Sequence, residues 1–185
     1  MRNIRLSILL VSSSILLASG AQGSEWNPAS QRFPNIQASL DDGFYALAEQ
    51  QARGILRDNP GDAEQRDALL LLAHALWGQK RYTEMIVMLQ GVDNDPGYAY
   101  WRARAFFELH RYDEALSALD GGREALSESQ YEPVSLRLRG RLQQLSGRLA
   151  EAEATYEAFA QTYPDHADAL ENQFDLADVY LMQKR

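Results

Sequence analysis

The chain has 185 residues, 45% of them hydrophobic, which is enough length and apolar content for one packed domain and excludes a disordered polypeptide. Its 26 acidic and 18 basic residues give a net charge of −8, which argues against nucleic acid or an anionic lipid surface as partner. Cysteine is absent, so disulfides, thiolate metal sites, cysteine nucleophiles and lipid attachment through an N-terminal cysteine are all excluded.

The first predicted element is a secretory signal peptide over 1–23. "MRNIRLSILLVSSSILLASGAQG" passes from two arginines through an apolar stretch, Leu6 to Leu17, to small residues at Ala18, Gly20, Ala21 and Gly23. As a helix those 12 apolar residues would reach roughly 18 Å, short of the ~30 Å hydrocarbon core, which favours a cleaved signal over a membrane anchor. Cleavage is expected after Gly20 or Gly23, each of which has a small residue two places earlier. Losing Arg2 and Arg5 leaves 16 basic against 26 acidic groups, a mature charge of −10. No second apolar run approaches spanning length, so the expected product is an exported protein without a transmembrane anchor, in the periplasm or secreted, soluble or peripheral to the cell envelope.

Residues 24–38, containing "SEWNPASQRFPNIQ", hold two prolines and no helical period and read as an irregular leader. From Ser39 onward apolar residues recur at three- and four-residue spacing almost to the C-terminus, with no strict alternation, which predicts an all-α chain. Turn signals divide this region: "DNPGD" at 58–62, "GQKR" at 78–81, "GVDNDPG" at 91–97, "LHR" at 109–111, "GG" at 121–122, "SGR" at 146–148 and "YPDH" at 163–166. Between them lie segments of common helix length, and Pro133 suits the first turn of its own.

The segments repeat. "KRYTEMIVML", "HRYDEALSAL" and "GRLAEAEATY" are imperfect copies, and the turn residues Gly43, Lys80, His110, Gly147 and Lys184 are spaced by 37, 30, 37 and 37. A period near 35 with two helices per unit predicts a helical solenoid. The units are a half repeat at 39–60, repeats at 62–96, 97–126 and 131–164, and an incomplete repeat at 165–185.

These residues resemble the tetratricopeptide repeat family, whose pattern runs W-x₂-L-G-x₂-Y, then A-x₃-F, then P. Gly147, Ala152, Tyr156, Phe159 and Pro164 follow its second half, and Ala103, Phe106, Tyr112 and Ala115 fit in the unit before. Leu69, Ala73, Leu76 and Tyr82 fit earlier still, although Met85 stands where a small residue is usual. Gly43, Tyr45, Ala48, Ala52 and Pro60 look like a second helix lacking its first. The resemblance implies a right-handed superhelical solenoid of antiparallel helix pairs, with Ala or Gly at 73, 103, 115, 140 and 152 lying beneath neighbouring rings. Arg102, Arg139 and Gln143 depart from it by standing at normally apolar positions. In the incomplete last unit Leu176, Ala177 and Tyr180 would pack against a helix beyond Arg185, so further repeats or a domain C-terminal to this chain are expected.

Catalytic chemistry finds no foothold. His74, His110 and His166 are far apart without a second ligand at helical metal spacing, and nucleophile-elbow, phosphate-loop and zinc-protease motifs are missing. Asp113, Glu114, Glu151 and Glu153 fall where a repeat helix faces water. No metal, cofactor or catalytic residue is therefore expected.

What remains is binding surface. In the family it resembles, partners lie along the concave side built from the first helix of each unit, where residues of one face are spaced four and then three apart. That implies Leu70, His74 and Trp77; Tyr100, Arg104 and Phe107; Arg137, Arg141 and Gln144; and Phe174, Asp178 and Leu181. Arginines and aromatics on one wall of an acidic protein suit an extended or helical peptide carrying some negative charge. The carboxylate-reading chaperone subclass is not implied, because its positions hold Leu70, His74, Trp101, Val134 and Leu138. "FAQTYPDHADALENQFDLADVYL" looks like the joints of periplasmic repeat proteins, so the expected function is a non-catalytic cell-envelope adaptor for a protein or peptide. The alternative is the recognition arm of a larger exported enzyme whose catalytic domain lies beyond Arg185.

Overall fold

A computed structural model describes residues 28–91 and 94–184, and every regular element in them is helical. The segment expected to be a signal peptide lies outside the described residues.

The leader is the first correction. Where it is described it is helical: α1 spans Pro28–Arg32 and α2 spans Pro34–Asp41. The prolines that suggested irregularity open these helices, where a missing N–H is harmless and the fixed φ already fits. The unit expected to be half a repeat is consequently a whole pair, α2 with α3 (Tyr45–Arg57).

The chain continues as α4 (Asp62–Gly78), α5 (Tyr82–Met88), α6 (Pro96–Glu108), α7 (Tyr112–Gly121), a single turn α8 (Arg123–Leu126), α9 (Glu132–Leu145), α10 (Leu149–Thr162) and α11 (Ala169–Met182). α2 packs on α3, α4 on α5, α6 on α7 and α9 on α10, while the first helices α2, α4, α6, α9 and α11 touch in that order. Contacts confined to neighbouring units make this an all-α helical solenoid.

One backbone motif generates the repetition. Gly43, Lys80, His110 and Gly147 have φ of +76°, +60°, +57° and +74°. The next residue in each case, Phe44, Arg81, Arg111 or Arg148, donates its N–H to the carbonyl five back, on Ser39, Leu76, Phe106 or Gln143, at 2.7 to 2.9 Å. The left-handed residue donates to the carbonyl three back, at 2.9 to 3.0 Å. This pair of bonds is the Schellman turn, which satisfies two orphan carbonyls and reverses the chain within three residues. Lys184 repeats it, with φ of +59° and its N–H on the Leu181 carbonyl at 3.0 Å. The returning letters of the sequence are this turn.

Close packing explains the small residues. Ala73, Ala103, Ala115 and Ala152 are fully buried, and a Cβ at Gly140 would collide with the Tyr156 ring. α4 carries buried Leu70, Leu71 and Leu72 in succession because α1, α2, α3, α5 and α6 all surround it. The polar departures in α9 have polar partners: Arg139 pairs with Asp120 at 2.7 Å, and Gln143 accepts from the Thr155 hydroxyl at 2.8 Å. Leu138 and Leu142 stay buried on the same helix, so its register holds.

Candidate partner-binding face

The first helices α4, α6, α9 and α11 carry the expected binding residues at matching heights. His74, Arg104 and Arg141 each precede their left-handed turn residue by six positions, and Trp77, Phe107 and Gln144 precede it by three. Stacking the units therefore aligns them in two rows.

The rows are joined by cation–π contacts. The Arg104 guanidinium lies 4.8 Å from the centre of the Trp77 ring, and Arg141 lies 5.3 Å from the centre of Phe107. Each arginine thus rests on the aromatic of the preceding unit. Around the first pair the side chains form one cluster: His74 stacks on Trp101 at 5.1 Å, Trp77 is tilted against Trp101 at 6.3 Å, and Arg104 donates to the Tyr100 hydroxyl at 3.1 Å. The Trp77 indole N–H donates to Glu108 at 3.3 Å, and the same carboxylate is 4.0 Å from Arg104. Phe107 also packs on Tyr112 at 6.2 Å.

The electrostatics follow from this packing. Burial pushes the His74 pKa down to about 4, and the charge of Arg104 adds to the effect, so the ring is neutral near neutral pH. Burial also opposes the charge on Arg104, but Tyr100 and Glu108 outweigh it and hold its pKa above the usual value. Two buried donors, Trp101 Nε1 and Arg104 Nε, find no acceptor among the described residues. Arg141 is exposed, and no carboxylate among the described residues pairs with it.

Not every expected residue faces outward. Leu70 is 0% exposed and Tyr100 4%, so their partner-facing role is corrected: Leu70 packs where Gly97 of α6 closes over it, and Tyr100 lies 5.6 Å from Tyr131 of the next unit. Arg137 is held within the protein by Asp175 at 3.0 Å and Asp168 at 3.6 Å. Gln144 accepts from the Tyr156 hydroxyl at 3.2 Å and approaches the Met182 sulfur. Phe174, Asp178 and Leu181 are exposed on α11, apart from the aromatic cluster, with Phe174 at 64% and Leu181 at 72%. Leu176 and Tyr180 point back at α10, Leu176 into its apolar cluster and Tyr180 onto Glu157 at 3.1 Å, instead of standing uncovered.

Trp101 and Glu108 complete the cluster but escaped the spacing rule. Trp101 neighbours Tyr100 in sequence and falls off the chosen face, whereas Glu108 stands four residues after Arg104, a pairing distance that could have flagged it.

The histidines and the other carboxylates have structural roles. His110 Nδ1 is 2.9 Å from the Tyr112 hydroxyl, His166 Nδ1 accepts from the Asp168 N–H at 3.1 Å, and Asp113 pairs with Arg148 at 3.0 Å. A depression of about 550 Å³ beside Glu49, Arg53 and Leu56 belongs to α3. Its charged groups are used in a network that ties α3 to the second unit, Arg53 to Glu84 and Arg81 to Glu49, both at 2.6 Å. Among the described residues no helix is long and apolar enough to cross a membrane.

The tetratricopeptide repeat family model matches residues 35–86, which run from α2 into α5. Those residues are similar to a tandem of two such repeats, the first of them being the pair that the prolines had concealed. No curated protein matches the chain.

Proposed function

We propose that the chain is a non-catalytic scaffold, an exported adaptor of the bacterial periplasm or cell envelope, that holds a partner protein or peptide along the face of α4, α6 and α9. One observation carries this reading: Arg104 on Trp77 and Arg141 on Phe107 repeat in successive units, presenting stacked cations and aromatics from a rigid frame. Arginine and tryptophan concentrate binding energy at protein interfaces, because they combine large contact area with directional hydrogen bonding. Tetratricopeptide-type repeats generally mediate protein–protein interaction, and the similarity over 35–86 supports that role here. The arginine-rich start and apolar stretch of residues 1–23 support export. Neither nucleic acid nor a small-molecule cofactor has a part in this function.

Crosslinking in the cell envelope followed by affinity capture tests the reading. Wild-type protein retains a specific partner, and Arg104→Glu combined with Trp77→Ala releases it while helical circular dichroism persists. Capture unchanged by the double substitution removes this face from consideration.

A further inference from the structure

The chemistry of the face narrows the partner, and the argument rests on the reading of that face as the binding surface. Arg104 and Arg141 occupy one register on adjacent first helices, and each lays its guanidinium over a ring of the preceding unit. Stacking engages the flat face of a guanidinium and leaves its N–H donors, which lie in the plane, directed at whatever lies alongside. Arg104 spends one donor on the Tyr100 hydroxyl and has Glu108 only at 4.0 Å, a carboxylate already engaged by Trp77. Arg141 is exposed with no carboxylate partner among the described residues. On a molecule of net charge −8, this row is a local site of uncompensated positive charge backed by aromatic surface. Its complement is an acceptor that carries negative charge and lies against apolar groups.

Geometry sets the spacing of those acceptors. Packed helices stand roughly 8–10 Å apart, so equivalent side chains on α6 and α9 are about that distance from each other. A β-strand turns alternate side chains to opposite faces, so its residues three apart cannot share one wall. A polyproline II segment has three residues per turn and rises ~3.1 Å per residue, which returns the same face every ~9 Å. We propose that this face receives an acidic polypeptide segment in polyproline II conformation, with carboxylates three residues apart on Arg104 and Arg141 and an intervening apolar side chain against Trp77 and Phe107. Such a segment arrives with its backbone already extended, so little ordering is lost on binding.

Fluorescence anisotropy with the full chain and three labelled peptides tests this: Pro-Glu-Leu-Pro-Glu-Pro, its Gln-for-Glu isostere, and the adjacent-acid isomer Pro-Pro-Glu-Glu-Leu-Pro. The spaced-acid peptide is expected to bind at least tenfold more tightly than either comparator, and to weaken as salt is raised. Arg141→Gln, a change at an exposed side chain that leaves the helical packing untouched, is expected to remove most of that tenfold preference without altering binding of the isostere. Equal affinities for the three peptides, lowered alike by Trp77→Leu, would overturn the charge pairing while leaving the adaptor reading intact. Absence of binding by any peptide, with partner capture still dependent on Arg104 and Trp77, would likewise overturn the spaced-acid inference alone. Loss of both would remove the adaptor face as well.

Discussion

The guanidinium of Arg104 lies 4.8 Å above the indole of Trp77, reaching back from α6 to the helix of the preceding unit. The contact is half-buried, and Arg141 makes the same approach to Phe107 at 5.3 Å from an exposed position. Cation–π contacts contribute about 0.5–1 kcal/mol when exposed and up to about 2 when desolvated, with Trp the best partner. A double-mutant cycle on Arg104→Gln and Trp77→Leu should therefore give a coupling of about 1 kcal/mol in urea denaturation, and one on Arg141 and Phe107 about half of that. Additive effects at the first pair would mean that the contact is incidental.

Gly140 and Gly54 should respond to alanine with opposite signs. A Cβ at Gly140 collides with the Tyr156 ring, which is fully buried and tied through its hydroxyl to Gln144, so the ring has nowhere to move. Gly140→Ala is expected to cost about 1–3 kcal/mol by overpacking. At Gly54, within α3, the nearest atom is an Arg57 nitrogen at 4.0 Å, so Gly54→Ala should stabilise by about 0.5–1 kcal/mol through reduced chain entropy. Thermal or urea denaturation of the two variants decides the matter.

The Schellman turns make a second signed pair. Lys80 holds φ of +60°, a conformation that costs a side-chain-bearing residue roughly 1 kcal/mol, so Lys80→Gly should be stabilising by up to that amount. Gly147 holds φ of +74° with open space around it, and Gly147→Ala should lose about as much through backbone strain alone. Equal behaviour of the two substitutions in denaturation curves would contradict a shared turn.

His74 predicts an acid-sensitive share of stability. Its pKa falls from an ordinary 6.5 in the unfolded chain to about 4 in the fold, through burial first and then the charge of Arg104. Between those values the unfolded state binds a proton that the folded state refuses, so stability drops as pH falls from about 6.5 to 4. At ~1.4 kcal/mol per unit the effect is about 2–3 kcal/mol, fully present near neutral pH and gone below the folded value. Glu49 adds a loss of the same sign: burial raises its pKa, but Gln79, Arg53 and Arg81 outweigh that and hold it below the usual carboxylate range. The His74 share is therefore the difference between wild type and His74→Gln, with denaturation measured at pH 7 and pH 4.5. Parallel losses in the two proteins would show that His74 protonates freely in the fold.

Much of the architecture was legible because the turns recur in letters as well as in backbone. Gly43, Lys80, His110, Gly147 and Lys184 stand out by spacing, and all five occupy the left-handed region. Alanines and Gly140 marked where helices approach, since only small side chains fit beneath Tyr156 and its counterparts. The prolines at 28 and 34 misled because the residue type that breaks a helix internally also starts one. Leu70 and Tyr100 misled for another reason: periodicity tells which face of a helix they share, but not that the next unit closes over them. Arg137 looked available until α11 brought Asp175 and Asp168 to it, a contact across about one repeat that no local pattern contains.

The central claim is that α4, α6 and α9 present a binding face centred on Trp77 and Phe107. The most direct measurement is nuclear magnetic resonance of isotope-labelled protein during titration with the spaced-acid peptide. The account predicts saturable shifts of the Trp77 indole N–H, the Phe107 ring and the Arg141 side chain, with the Leu170 and Leu181 methyls of α11 unmoved. Shifts confined to α11, or no saturable shift near Trp77, would contradict it.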